Sequence, residues 1–295
     1  MELADADFRA LEIRCQHAVE ELLAGEYLSV FKGRGIEFED VRPYAPGDEI
    51  RSIDWNVTAR TGEPYIKRFI EERDLSVYIL VDISASKNFG SQAQTKRQAA
   101  AELAGLLAFS AAANHDRVGL MLFSDQLERY LEPGKGRVHV SQIMYEVLNF
   151  TPESTGTSLA EPLELLMHVA RRRAVVFVIS DFHDSGFEDA LQAASRLHDI
   201  VAVSVVDPHE SELPAVGLAR LRDAESGEII SVDTGSAAVR SSFAKRAQKR
   251  QTEMLGIFDE AGIDHFELGV GDDYVGALHG FLKSRIANRR GNHHG

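Results

Sequence analysis

The spacing of apolar residues along this chain changes twice, and those changes divide it. Between residues 5 and 24, Phe8, Leu11, Ala18, Val19, Leu22 and Leu23 recur at intervals of three and four, which predicts a helix with one buried face. Residues 28–74 lose that period. Gly, Pro, aromatic and charged residues dominate there, with turn signals such as Ala45-Pro46-Gly47-Asp48, and predict a small β-rich or irregular appendage. From residue 75 onward, apolar runs of strand length alternate with helical spacings. Strands are predicted at 76–82, 117–124, 174–180, 200–206 and 264–268, and helices near 94–114, 138–149, 158–171, 187–198, 236–261 and 274–287. Ser158 with Glu161 three residues on has the form of a capping box. Residues 217–222 and 228–233, turning at Glu225-Ser226-Gly227, predict a hairpin that either extends the sheet or projects as an arm.

Strands separated by helices of this length imply βαβ units and a mostly parallel sheet, so the fold class is α/β. The expected organisation is an N-terminal helix within 1–27, the appendage at 28–74, an α/β domain at 75–287 carrying the hairpin at about 217–233, and a disordered polar tail at 288–295. The run Val77-Tyr78-Ile79-Leu80-Val81 has no polar alternation, which suits a strand covered on both faces. Ligands in such sheets bind at the carboxyl ends of the strands. There the chain places Asp82, followed by Ser84 and Ser86, and Asp181 follows the strand AVVFVIS in the same way. The loop Ser154-Thr155-Gly156-Thr157-Ser158 adds hydroxyls before a helix. Carboxylates and hydroxyls are hard oxygen donors that suit Mg²⁺ or Mn²⁺.

Composition narrows the partners. The formal net charge is −14, from 46 acidic against 32 basic residues, so the overall field does not favour nucleic acid or an anionic membrane. The single Cys15 excludes an intrachain disulfide framework and a cysteine-based zinc site, and fits a reducing compartment. The acidic, amphipathic start is no signal peptide, and no apolar run reaches the roughly 18 residues of a spanning helix. A cytoplasmic setting is expected, which makes the sequon Asn56-Val57-Thr58 a chance match.

The set Asp82-x-Ser84-x-Ser86, Thr157 directly after Gly156, and Asp181 resembles the metal-ion-dependent adhesion site of the von Willebrand factor A fold, over roughly residues 75–286. The resemblance implies a Rossmann-like, mostly parallel sheet flanked by helices. It also implies a Mg²⁺ (or Mn²⁺) held by Asp82, Ser84, Ser86, Thr157 and Asp181, with its shell completed by water or by an acidic side chain of a partner. The appendage carries Gly35-x-Glu37-Phe38-x-Asp40-x-Arg42-x-Tyr44-x-Pro46-Gly47-Asp48, then Arg51-x-Ile53-Asp54-Trp55 and Thr58-Ala59-Arg60. This wording is similar to the signature of the domain of unknown function 58 family. That resemblance implies partnership with a MoxR-type AAA+ ATPase in maturing or remodelling a client protein.

Opposed charges at the density found in 33–73 suit a salt-bridged network, whereas Arg42, Tyr44, Asp48, Arg51, Asp54, Trp55 and Arg60 are also the kinds of residue that anchor interfaces. The expected function is therefore a non-enzymatic, divalent-metal-dependent adaptor. The alternative is a Mg²⁺-dependent hydrolase or phosphoesterase at the same site, in which His183 could serve as base or ligand, although it reads better as a surface-loop histidine. Against it, Ser84 stands where an aspartyl-phosphate phosphatase needs a second acid. No P-loop occurs, and neither Ser124 nor Ser180 has a nucleophile elbow around it. The run Arg171-Arg172-Arg173 is read as a response to a helix dipole.

Overall fold

The computed structural model describes residues 2–20, 30–31, 36–46, 48–49, 52–71, 75–88, 90, 94–222 and 228–291. The amphipathic start forms α1 (Glu2–Ala18). Its Leu11 and Cys15 are buried in the main core. Polar contacts fix the same helix: Arg14 pairs with Glu102 at 3.5 Å, and Arg137 donates to Gln16 at 2.6 Å. The Cys15 thiol lies 3.7 Å from the Glu102 carbonyl, and burial pushes its pKa up to about 12. The appendage folds as β1 (Ile36–Pro43), α2 (Trp55–Thr61) and β2 (Tyr65–Glu71), the two strands pairing antiparallel.

The remaining elements follow the expected alternation. They are β3 (Ser76–Asp82), α3 (Lys96–Ala113), β4 (Arg117–Phe123), β5 (Leu127–Gly134), α4 (Arg137–Asn149), α5 (Ala160–Val169), β6 (Val175–Ser180), α6 (Glu188–Leu197) and β7 (Asp199–Val206). After these come the short α7 (Pro208–Ser211), β8 (Leu218–Arg222), β9 (Ile229–Asp233), α8 (Ala237–Ala261), β10 (Asp264–Gly269) and α9 (Tyr274–Gly291). The six-stranded sheet has the order β10-β7-β6-β3-β4-β5, parallel except for β5. Val77, Ile79 and Val81 face one core with α3 and α4; Tyr78 and Leu80 face the other with α5 and α6. Burial on both faces is why the β3 run is apolar throughout. Where α3 crosses α4, a Cβ on Gly105 would stand 2.8 Å from the Met144 sulfur, so the glycine lets the helices approach.

Three details differ from the sequence reading, and a fourth, the place of the hairpin, resolves an alternative that it left open. β5 was not expected: Glu128, Arg129, Glu132 and Pro133 hide the strand pattern, as befits an edge strand that is only half-covered. The helix expected to open at Ser158 begins at Ala160 without a side-chain cap; the Leu159 N–H is instead met by the Asp184 carboxylate at 2.9 Å. The hairpin β8–β9 is a separate two-stranded sheet, so it projects as an arm and does not extend the main one. Residues 288–291, expected in a disordered tail, are the last turn of α9.

Candidate functional site

β3 and β6 are neighbours in register, Val81 opposite Ile179, so Asp82 and Asp181 emerge side by side at the carboxyl end of the sheet. Two backbone features hold the crest there. The Ser84 N–H donates to Asp82 Oδ1 at 3.0 Å, and residues 85–88 close a 3₁₀ turn that aims Ser86 and Lys87 back toward the carboxylates. After Asp181 the backbone of Phe182 is left-handed, φ 53°, an unusual state for a bulky side chain. Its ring is anchored edge-on against Phe258, centroids 4.9 Å apart, and its N–H donates to Ser180 Oγ at 3.1 Å. Ser180 in turn donates to Asp82 Oδ2 at 2.7 Å.

The third loop is tied in separately. Glu128 accepts from Ser124 Oγ at 2.6 Å and from the N–H groups of Glu153 and Ser154 at 3.0 and 3.1 Å. Those hydrogen bonds outweigh its partial burial and hold its pKa below the ordinary value. The Ala85 N–H donates to the Thr155 carbonyl at 3.2 Å, and Ser158 N–H to the Ser124 carbonyl at 2.7 Å. These bonds dock the segment carrying Thr157 beside the turn carrying Ser84 and Ser86. The sequence-predicted set thus gathers at one end of the sheet: Asp82, Ser84 and Asp181 are buried, and Ser86 Oγ lies 3.2 Å from Ser84 Oγ and 3.5 Å from Asp181 Oδ2.

Two lysines that sequence reasoning passed over sit inside this cup. Lys87 Nζ is 2.9 Å from Asp82 Oδ2, 2.5 Å from Asp181 Oδ2 and 3.1 Å from Ser86 Oγ. Lys96 Nζ, fully buried, is 2.9 Å from Asp181 Oδ2 and pairs also with Glu210. Burial alone would lower the Lys87 pKa, but attraction to Asp82 and Asp181 outweighs it and the ammonium is held above its ordinary value. Likewise burial would raise the Asp181 carboxyl, and Lys87 and Lys96 hold it well below the usual carboxylate range. One signal in the sequence could have flagged Lys96. It opens α3, right after the Thr95 cap, where a positive charge opposes the helix dipole and needs an anionic partner. Lys87 follows Ser86 directly, and Glu210 lies in the turn PHES after β7.

The donor chemistry of Asp82, Ser84, Ser86 and Asp181 suits a hard cation, but the arrangement does not fit a divalent one. Mg²⁺ takes oxygens at about 2.0–2.1 Å in an octahedron, and the position between the two carboxylates is filled by the Lys87 ammonium. Among the described residues no group of three or more His, Cys, Asp or Glu side chains gathers as metal ligands do.

Beside Asp181 a cavity of about 770 Å³ opens between the loop after β6, α7 and α8. Its wall carries His183, Asp184, Glu188, Glu210, Glu253 and Arg250, so acids predominate. In the appendage, Arg42 grips Asp48 with two bonds of 2.8 and 2.7 Å, and Asp48 also accepts from the Ala45 N–H at 2.8 Å. Asp54 caps α2 through the N–H groups of Asn56 and Val57, at 2.9 and 3.2 Å. Tyr44 is half-buried, its N–H donating to the Pro64 carbonyl at 2.8 Å. Trp55 (67% exposed) and Arg60 face solvent. Arg51 lies outside the described residues.

A mostly parallel six-stranded sheet between helices, with its polar crest at the carboxyl ends, defines an α/β protein. The chain belongs to the family described as "Protein of unknown function DUF58", whose model matches residues 40–253. It is similar to the "Uncharacterized protein Rv1480" of Mycobacterium tuberculosis, 31% identical over 97% of this chain and 90% of that one. It is also similar to the "Uncharacterized protein MAV169" of Mycobacterium avium, 29% identical over 54% of this chain and 94% of that one. Similar solved structures include BatB of Bacteroides thetaiotaomicron, at 16% identity and TM-score 0.49 over 72% of this chain and 99% of that one. The SpRpn10 VWA domain is similar at 10% identity and TM-score 0.39, over 68% and 91%. Among the described residues, no helix is long and apolar enough to cross a membrane.

Proposed function

We propose that this protein is a non-enzymatic adaptor that works in the cytoplasm and docks a partner protein on the crest at the carboxyl end of its sheet. The observation that carries this reading is the state of the two carboxylates. Asp82 and Asp181, 2% and 5% exposed, are each bonded to a buried ammonium. Asp181, so neutralised and held below its ordinary pKa by Lys87 and Lys96, is a poor general base, which weighs against the hydrolase alternative. The cup instead ties three loops into one rigid rim. The divalent-metal dependence expected from the resemblance is not carried into this reading, because Lys87 fills the place of the ion.

The surface a partner meets is the acidic cavity, with Glu188 and Glu253 exposed on its wall, together with Trp55 and Arg60 on α2 as a second contact. A basic segment complements that cavity, and the chain's overall acidity would steer it there. The partner we propose is a MoxR-type AAA+ ATPase, with ATP hydrolysis left to it and a client protein remodelled by the pair. The test is a binding titration of the full chain with a MoxR-type AAA+ ATPase from the same organism. Glu188→Lys combined with Glu253→Lys should weaken binding at least tenfold without lowering the melting temperature. Undiminished binding by that variant would remove the cavity from the interface. Turnover of a generic phosphoester that is lost in Asp181→Asn would favour the hydrolase.

A further inference from the structure

We propose that Lys87 is the resident cation of the crest: its ammonium stands where this fold would place a divalent ion, and the chain holds its carboxylate pair together without metal. The geometry of the ammonium carries the argument. A lysine has three N–H donors and no acceptor. Asp82 Oδ2, Asp181 Oδ2 and Ser86 Oγ, at 2.9, 2.5 and 3.1 Å, take all three. The side chain is 3% exposed, so no donor is left for water.

The backbone builds this position. The Lys87 N–H donates to the Ser84 carbonyl at 3.1 Å, closing the 3₁₀ turn that points the side chain inward. An apolar residue at 87 could not neutralise the pair, and one at an exposed position could not reach it.

Charge accounting agrees. Lys87 and Lys96 together bring two positive charges, the charge of one divalent ion, to Asp82, Asp181 and Glu210. A divalent ion entering between the carboxylates would have to displace Lys87 into an apolar interior or out through the rim. A buried cation without its partners is costly. It follows that no open coordination position waits for a partner's acidic side chain, and that docking at this crest does not proceed by a shared metal. This inference is independent of which partner docks: the adaptor reading fails on the binding titration, this one on metal titration of the isolated chain.

The experiment uses the full chain, at constant ionic strength, in EDTA and with Mg²⁺ or Mn²⁺ up to about 10 mM, reading thermal melting together with Mn²⁺ binding by electron paramagnetic resonance. The wild type should melt within 1 °C in all conditions and bind no stoichiometric Mn²⁺. Lys87→Met keeps length and removes charge. It should melt lower in EDTA and regain part of that loss with a saturable Mg²⁺ or Mn²⁺ response, one ion per chain, abolished by adding Asp82→Asn. Stoichiometric Mn²⁺ binding by the wild type, lost in Asp82→Asn, would overturn the proposal. So would a Lys87→Met protein that melts like the wild type and ignores metal. If Lys87→Met does not fold, the wild-type Mn²⁺ titration decides by itself, and Lys87→Gln replaces the methionine variant.

Discussion

Lys96→Met removes the fully buried ammonium that links Asp181 to Glu210 while keeping the stem that α3 buries. Taking one partner from a buried ion pair costs about 3–5 kcal/mol, because the charge left behind stays desolvated. Two features place this site at the low end, about 3 kcal/mol. Asp181 keeps Lys87, and the Glu210 side chain, 25% exposed, can turn toward water. For domains of 150–250 residues each kcal/mol moves the melting temperature by about 2–4 °C, so this 295-residue chain should lose about 6 °C. The control is Lys249→Met, which breaks an i,i+4 pair with Glu253 whose side chains are 76% and 61% exposed; it should move the melting temperature by about 1 °C at most. The decisive variant is Lys96→Met with Asp181→Asn. It leaves Lys87 facing Asp82 alone, so the double variant should be more stable than the sum of the two single losses by about 1 kcal/mol or more. Melting within 2 °C of wild type for Lys96→Met, or strictly additive losses, would refute the view that this cup is a balanced charge cluster.

Two further outcomes are expected. His198, 2% exposed and without a hydrogen bond to either ring nitrogen among the described residues, is held below its ordinary pKa by burial and then by Arg173. The native state keeps it neutral while the unfolded chain takes up a proton below about pH 6.5. Stability should therefore fall as pH drops through that value, and His198→Leu should flatten this part of the melting curve; parallel curves from pH 7.5 to 5.5 would contradict it. Asp54→Ala removes the α2 cap, worth about 1 kcal/mol. Since Trp55 is the chain's sole tryptophan, its fluorescence anisotropy should drop while the main melting transition stays put. Unchanged anisotropy would mean that the cap does not hold α2.

The sheet was legible because its strands are buried on both faces, so β3, β4, β6 and β7 read as unbroken apolar runs with nothing else to be. The edge strand β5 was not, because half-cover permits Glu128, Arg129 and Glu132, and one of those acids is needed to pin the Thr157 loop. The candidate site was legible as oxygen donors at strand ends, since register across β3 and β6 turns two distant aspartates into neighbours. Its charge balance was not. Lys87 and Lys96 lie in stretches where lysine usually faces water, and only a 3₁₀ turn and the first turn of α3, both folded over the crest, bring them inward. Whether β8–β9 would join the sheet was likewise open, because edge pairing depends on where the chain leaves β7, which local pattern does not record.

The covered thiol of Cys15 makes the chain its own reporter on how α1 is seated. A sulfhydryl pushed up to about 12 is almost wholly protonated at neutral pH, and only an accessible thiolate attacks a disulfide reagent. Labelling at this single thiol therefore proceeds no faster than the N-terminal helix lifts from α3, and at reagent concentrations where labelling outpaces reclosing its half-time is the half-time of that opening.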